Sequence, residues 1–245
     1  MLAEFYKKIW TEAYRRNDLN IISLLETDKN AMVLDVGCGD GQKTVKFKRK
    51  IMCQKIAGID GVKERLAAAQ RRGVKETKIV DLEKKWPFPE KYFDVIISNQ
   101  VIEHLVNIDN FIKEICRLLK SGGYCVISTE NLASWHNIFA LTLGFQDFSH
   151  HLIKKSHVGN PFSPHFGEET VTWSKEDNSG VDDTTYPHLK IPTYFSLIKI
   201  FEEYGFKFEK GLASGYYPFF GITGRFFSKI DPRHSHFIAV KLHKP

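Results

Sequence analysis

This chain of 245 residues has only four cysteines, Cys38, Cys53, Cys116 and Cys125, and no two of them form a C-x-x-C pair. That rules out a disulfide framework and a sequence-readable zinc site, and it fits reduced thiols in a cytoplasmic protein. No apolar run approaches the ~18 residues that a spanning helix needs, and Leu2 to Arg16 mixes charges with aromatics. A signal peptide and a transmembrane segment are therefore not expected. Acidic residues are in the minority, for a net charge of +6, yet the basic ones are spread along the chain except for Lys43, Lys46, Lys48, Arg49, Lys50 and Lys55. That cluster is read as the solvated face of a helix rather than as a nucleic-acid site. With 42% hydrophobic side chains, the length suits one large core carrying an insertion better than two domains.

What the chain does have is an organising stretch, Val33-Leu34-Asp35-Val36-Gly37-Cys38-Gly39-Asp40-Gly41. An apolar run reads as a buried parallel strand, and the glycines after it read as a tight turn that a ligand can approach closely. A helix starting near Gln42 would aim its free N–H groups at that turn. The spacing G-x-G-x-G departs from the dinucleotide fingerprint G-x-G-x-x-G. Asp35 departs from it too, because a carboxylate beside the turn disfavours a pyrophosphate and suits a cationic ligand. The segment resembles motif I of the Rossmann-like (class I) S-adenosylmethionine-dependent methyltransferases.

Further elements follow in order. Phe5, Ile9, Ala13 and Ile21 to Leu25 have helical spacing, with a break expected at Asn17-Asp18, and make an N-terminal cap whose Tyr6, Trp10 and Tyr14 could line the site. Lys55 to Asp60 reads as a second strand, which places Asp60 to accept from both ribose hydroxyls or, alternatively, to cap the helix that follows. Thr77 to Val80 is a third strand. Beyond it, Asp81 and Leu82 are placed for the adenine amino group and ring. The two prolines of Trp86 to Asp94 predict a loop, and Phe93 to Asn99 a central strand. Ile108, Phe111, Ile112, Ile115, Leu118 and Leu119 share a helix face, with Ser121-Gly122-Gly123 as the expected stop. A fifth strand follows over Gly123 to Thr129.

The stretch Asn99-Gln100-Val101-Ile102-Glu103-His104-Leu105 widens the resemblance to the quinone- and metabolite-methylating subgroup. Relatives with E-x-x-E-H here hold a divalent metal. In this chain Gln100 replaces the first glutamate, so no metal is expected. His104 is a candidate general base, or else part of the loop architecture. The resemblance covers residues 31–130 well and implies an α/β fold: a seven-stranded, mostly parallel sheet of order 3-2-1-4-5-7-6 with its last strand antiparallel and helices on both faces. It also implies S-adenosylmethionine as cofactor, held by Asp35, Gly37, Cys38, Gly39, Asp40, Gly41, Asp60, Gly61, Asp81, Leu82, Asn99 and Gln100.

The expected organisation is one methyltransferase domain over 1–245, with a cap (1–30), a cofactor core (31–130), an inserted lid (131–192) and a closing helix and strands (193–245). The lid, rich in aromatics and histidines, is the expected substrate-recognition segment. Tyr194 to Tyr204 reads as a helix, and Phe206 to Ala213 and Ser235 to Leu242 as strands. The aromatics of 216–227 read as a loop that lines an apolar pocket or rests on a membrane surface. The activity implied is transfer of a methyl group to a small-molecule acceptor. A nucleic-acid or protein methyltransferase and a non-enzymatic cofactor-binding protein are the alternatives.

Overall fold

The computed structural model describes residues 2–150, 152, 159–162 and 188–245. In chain order the elements are α1 (Leu2–Leu24), β1 (Val33–Val36), α2 (Gln42–Ile51), β2 (Ile56–Asp60), α3 (Lys63–Arg71), β3 (Glu76–Ile79) and β4 (Phe93–Asn99). They continue with α4 (Ile108–Leu118), β5 (Leu119–Glu130), α5 (Trp135–Thr142), α6 (Tyr194–Glu202), β6 (Lys207–Ser214), α7 (Gly221–Ile230) and β7 (Phe237–His243).

The described strands form one sheet of order β3-β2-β1-β4-β5-β7-β6. Strands β1 to β5 pair in parallel, and β7 runs antiparallel to both neighbours, so the expected order and the reversed last strand are both present. All four residues of β1 and all five of β2 are buried, as strands covered on both faces require. On one face Phe93, Ile96 and Ile127 pack with Phe111, Ile112 and Ile115 of α4 and Leu197, Ile198 and Phe201 of α6. On the other, Val33, Val95 and Val126 meet Ile21 and Leu24 of α1 and Phe47 and Ile51 of α2. Side-chain caps start α4 and α6: Asn107 accepts from the Asn110 N–H (3.0 Å) and Thr193 from the Ser196 N–H (3.2 Å).

Four local expectations are corrected. Helix α1 does not break at Asn17-Asp18. Asn17 turns inward, is fully buried, and bonds Ser128 Oγ (2.9 Å) and Asn99 Oδ1 (3.3 Å), so a residue with poor helix propensity serves as a polar anchor to the strand ends. Helix α4 does not end on glycine. Leu119 already takes extended dihedrals, and the glycines serve β5, where a Cβ on Gly123 would lie 2.8 Å from the Asp94 carbonyl. The aromatic loop at 216–227 is half helix, because α7 begins at Gly221. Lys43 is not on the solvated face of α2 but is partly buried against Tyr14 and Asp18. Of the expected lid, residues 131–150, 152, 159–162 and 188–192 are described and include α5. The polar run Ser174 to Thr185 lies outside the described residues.

Candidate active site

The glycine turn lies at the carboxyl end of β1, between the carboxyl ends of β2 and β4. Gly37, Gly39 and Gly41 all have left-handed dihedrals (φ 71°, 54° and 82°), but for different neighbours. A Cβ on Gly37 would meet Val101 Cγ2 at 2.3 Å, and one on Gly41 would meet Ala69 Cα at 2.8 Å, so both glycines allow close internal packing. Among the described residues, a Cβ built on Gly39 would meet nothing within 4 Å, and one on Gly61 only the Val80 carbonyl, at 3.8 Å. The middle of the turn is therefore the open cradle.

Asp60 braces that turn. Its Oδ2 accepts from the Gly39 N–H and its Oδ1 from the Val62 N–H, both at 2.9 Å, and it is buried. The ribose reading and the helix-cap reading are thus compatible, since each oxygen uses one lone pair on the backbone and keeps another. Asp35 lies beneath the turn, 3% exposed, with Thr44 Oγ1 donating to it at 2.6 Å. Burial pushes its carboxyl up to about 7 against the opposing effects of the Thr44 bond and the Lys43 charge. The Cys38 thiol is raised by burial first and by Asp35 second, which makes it a packing group and not a nucleophile. Asp40 has its carboxylate engaged by the Gln42 N–H (3.0 Å) and by Arg72 (3.4 Å), which leaves its backbone for any ligand. Exposed Asp81 accepts from the Glu83 N–H (3.0 Å), a bond that holds its carboxyl below the usual range, and Leu82 is half-buried beside it.

At the end of β4, Asn99 reaches Asn17. Gln100 has a left-handed backbone (φ 58°) and a buried side-chain nitrogen with no hydrogen-bond partner among the described residues. The turn 102–104 then places Glu103 fully inside, where Thr129 Oγ1 donates to it at 2.9 Å and its second oxygen has no hydrogen-bond partner among the described residues. Burial raises Glu103 to about 7, opposed by the charge of His188. The His104 ring lies 4.8 Å from that of His188 at a tilt of 59°, and His188 is raised to about 9, its burial outweighed by Glu130.

Several of these residues carried no motif. His188 and Glu130 belong to a buried polar chain in which Glu130 lies 3.5 Å from His188 and 3.6 Å from His236, and His236 in turn bonds His136 at 2.9 Å. Glu130 is held well below the usual range because those two imidazoles outweigh its burial, whereas burial drives His136 well below its usual value. The available signal is Ser128-Thr129-Glu130, three polar residues ending a strand whose last eight residues are all buried, with Asn131 directly after them, since buried polar groups require partners. The Lys43, Tyr14 and Asp18 cluster had no such signal. Its ammonium lies 2.9 Å from Asp18 and 4.0 Å from the Tyr14 ring centre. The ligand atoms of Glu103, His104 and His188 fall within 4.8 Å of one another, so these residues have the spacing to hold a metal ion. A cavity of about 740 Å³ opens between α4, α6 and residues 189–192, and none of the turn residues lines it.

Residues 34–127 match the family model for a methyltransferase domain. The ubiquinone biosynthesis O-methyltransferase of Pelagibacter ubique is 33% identical over 130 residues, which cover 51% of this chain and 52% of that protein. The chain thus spans about half the length of the curated relatives it matches. Among solved structures, a putative S-adenosylmethionine-dependent methyltransferase from Listeria monocytogenes superposes over 94% of this chain and 99% of its own (TM-score 0.59, 18% identity). The [4+2]-cyclase SpnF superposes over 94% of this chain and 81% of its own (TM-score 0.58, 19% identity).

Proposed function

We propose that this chain, whose residues 34–127 match the family model for a methyltransferase domain, is a class I S-adenosylmethionine-dependent methyltransferase that transfers a methyl group to a small-molecule acceptor. The observation that carries this reading is the cradle itself: an open Gly39 tied by its N–H to Asp60, above a buried carboxyl with no cationic partner in hydrogen-bond contact among the described residues. The shape and donor set fit the cofactor. Asp35 supplies negative charge beneath its cationic end, and the free lone pairs of Asp60 suit a pair of hydroxyls. Asp81 and Leu82 flank the expected adenine side with Gly61, while Asn99 and the Gln100 amide, whose nitrogen has no hydrogen-bond partner among the described residues, stand at the β4 end. Gly37, Cys38, Asp40 and Gly41 contribute through the backbone of the turn.

When bound, S-adenosylmethionine supplies an electrophilic methyl on a positively charged sulfur. The protein has to hold a nucleophile in line with it and exclude water. His104 is the residue we assign to accept a proton from the acceptor, with the tilted His188 ring against it and Glu103 beside it. An oxygen acceptor is favoured by the name of the Pelagibacter relative, and among such acceptors we keep a metabolite, a sugar and a lipid-linked precursor. We further propose that transfer needs no divalent metal. Gln100 stands where the metal-holding pattern E-x-x-E-H has a carboxylate, which removes one anionic oxygen ligand. Free cysteines are consistent with a cytoplasmic setting.

Incubating the protein with methyl-labelled cofactor and a cell extract, then following the label by mass spectrometry, tests the reading with no guess about the acceptor. Labelled nucleic acid or protein would favour the macromolecular alternative. A different chemistry on the same scaffold is the second reading, favoured by the likeness to a cyclase. Its signature is cofactor binding with substrate conversion but no label transfer.

A further inference from the structure

Helix α7 has its apolar side outward. The residues it buries are small, Gly224 and Ser228, one turn apart. A Cβ at Gly224 would sit 2.8 Å from the Phe219 carbonyl, so glycine is what lets the helix lie this close to the chain before it. The large side chains face solvent at intervals of four residues: Ile222 is 77% exposed, Phe226 58% and Ile230 59%. A surface helix of a globular protein normally turns such a stripe inward. The stripe is extended by Phe219 and Phe220, 42% and 44% exposed, and by Phe5 of α1, which meets Phe220 edge to face at 5.9 Å. Six exposed apolar side chains in one region mark an interaction surface.

The charges around the stripe indicate what it meets. Arg225 and Lys229 alternate with Ile222, Phe226 and Ile230 along the helix, and the Lys8 ammonium lies 5.2 Å from the Phe220 ring centre. A groove of about 480 Å³ between α1, β6 and α7 is lined by Arg16, Arg225 and Lys229, and its one carboxylate is Glu12. Glu12 is engaged internally, accepting from the Gly221 N–H at 3.1 and 3.0 Å, where it complements the positive end of α7, and lying 3.9 Å from Arg225. An apolar stripe rimmed by cations, with the one carboxylate that lines the groove among the described residues engaged, matches the polarity of an anionic lipid surface: acyl chains below, phosphates at the rim. No described helix is long and apolar enough to cross a bilayer, so the contact is one that lies on the membrane. We propose that α7, with Phe219, Phe220 and Phe5, seats this protein on anionic membranes, with Lys8, Arg16, Arg225 and Lys229 at the headgroup phosphates. The proposal does not depend on the methyl-transfer reading.

Co-sedimentation of the full chain tests it, with vesicles of phosphatidylcholine alone and of phosphatidylcholine mixed with phosphatidylglycerol. The expected result is binding to the mixed vesicles at least ~10-fold tighter than to the neutral ones and weakened by salt. The double variant Ile222→Glu, Phe226→Glu should lose it by at least ~10-fold with an unchanged melting temperature, because both side chains already face water. Lys229→Glu should lower binding to the mixed vesicles alone. Equal recovery with both vesicle types, or an unaffected double variant, overturns the proposal. A parent that sediments as a dimer in ultracentrifugation, and a double variant that is monomeric, would overturn it in favour of a second copy of this chain.

Discussion

Replacing Asp35 with asparagine separates what this carboxyl does for the fold from what it does for the ligand. The side chain is 3% exposed, and its hydrogen bond from Thr44 (2.6 Å) can be kept by an amide oxygen, so the substitution removes charge and little else. Burial raises the carboxyl from 3.8 to about 7. A folded-state value above the unfolded one means that the native protein holds the proton more tightly. The contribution of Asp35 to stability is therefore complete below about pH 4, is lost as pH rises toward 7, and stays lost above it. At ~1.4 kcal/mol per pH unit, the loss reaches about 4 kcal/mol as an upper bound. Asp35→Asn should consequently melt higher than the parent at pH 8, by ~2–4 °C for each kcal/mol recovered in a chain of this size, and the gain should vanish toward pH 4. The same substitution should weaken S-adenosylmethionine binding at pH 8 by ~10- to 100-fold, or ~1.4–2.7 kcal/mol, because the anion is what a cationic ligand needs. Thermal unfolding across pH 4–8 and titration calorimetry measure the two halves. Glu103 also titrates near 7, so the informative quantity is the difference between parent and variant at each pH. A variant that gains no stability at pH 8 and binds the cofactor as the parent does would reduce Asp35 to a partner for Thr44.

Asp60→Ala should cost ~1.5–3 kcal/mol of cofactor affinity, the scale of lost charge-assisted bonds, and Asp60→Asn part of that. Because the Gly39 and Val62 N–H groups lose their acceptor, Asp60→Ala should also lower the melting temperature, and parental values of both quantities would refute the assignment. NAD should not compete with S-adenosylmethionine in calorimetry, and tighter NAD binding would reverse the cofactor choice. His104→Gln should reduce turnover by ~100-fold or more, within the range for a positioned base, while cofactor affinity stays within ~3-fold; unchanged turnover would return His104 to the loop architecture. Turnover should survive EDTA. Its loss with recovery on adding magnesium or manganese would assign Glu103, His104 and His188 as ligands.

The sheet was legible because its information is local and repetitive. The central strands β1, β2 and β4 are mostly apolar runs with a polar or glycine end, and the order of strands follows from the resemblance carried by the glycine turn and the Glu103-His104 stretch. The boundaries that failed share a cause, which is that a tertiary contact outweighed a local preference. Asn17 looked like a helix breaker, yet three polar groups, Asn99, Ser128 and Asn17 itself, are satisfied only if α1 runs on past it. The glycines after α4 looked like a stop, but it is the Asp94 carbonyl pressed against Gly123 that requires them. The site was half legible for a similar reason. Residues contiguous with a motif, such as Asp35 and Asp60, could be named, whereas Thr44 and His188 are joined to Asp35 and Glu130 by tertiary pairings that no local pattern encodes.

Asp35, Asp60, Glu103 and Glu130 are buried toward the carboxyl ends of β1, β2, β4 and β5, and the way each is compensated locates the positive charge still to be supplied. Glu130 is matched by His188 and His236 and stays ionised. Asp60 accepts two backbone N–H bonds. Glu103 and Asp35 are the two for which burial wins, each raised to about 7, and only Glu103 has a cationic imidazole acting directly against it as its leading opposing influence. For Asp35 the leading opposition is a neutral hydroxyl, with Lys43 committed to Asp18 and Tyr14. An uncompensated buried carboxylate is costly to retain unless something binds there. The open side of Gly39 is where a ligand can approach, and a cation is what would restore the balance, so charge and shape independently favour a sulfonium-bearing cofactor over a pyrophosphate-bearing one.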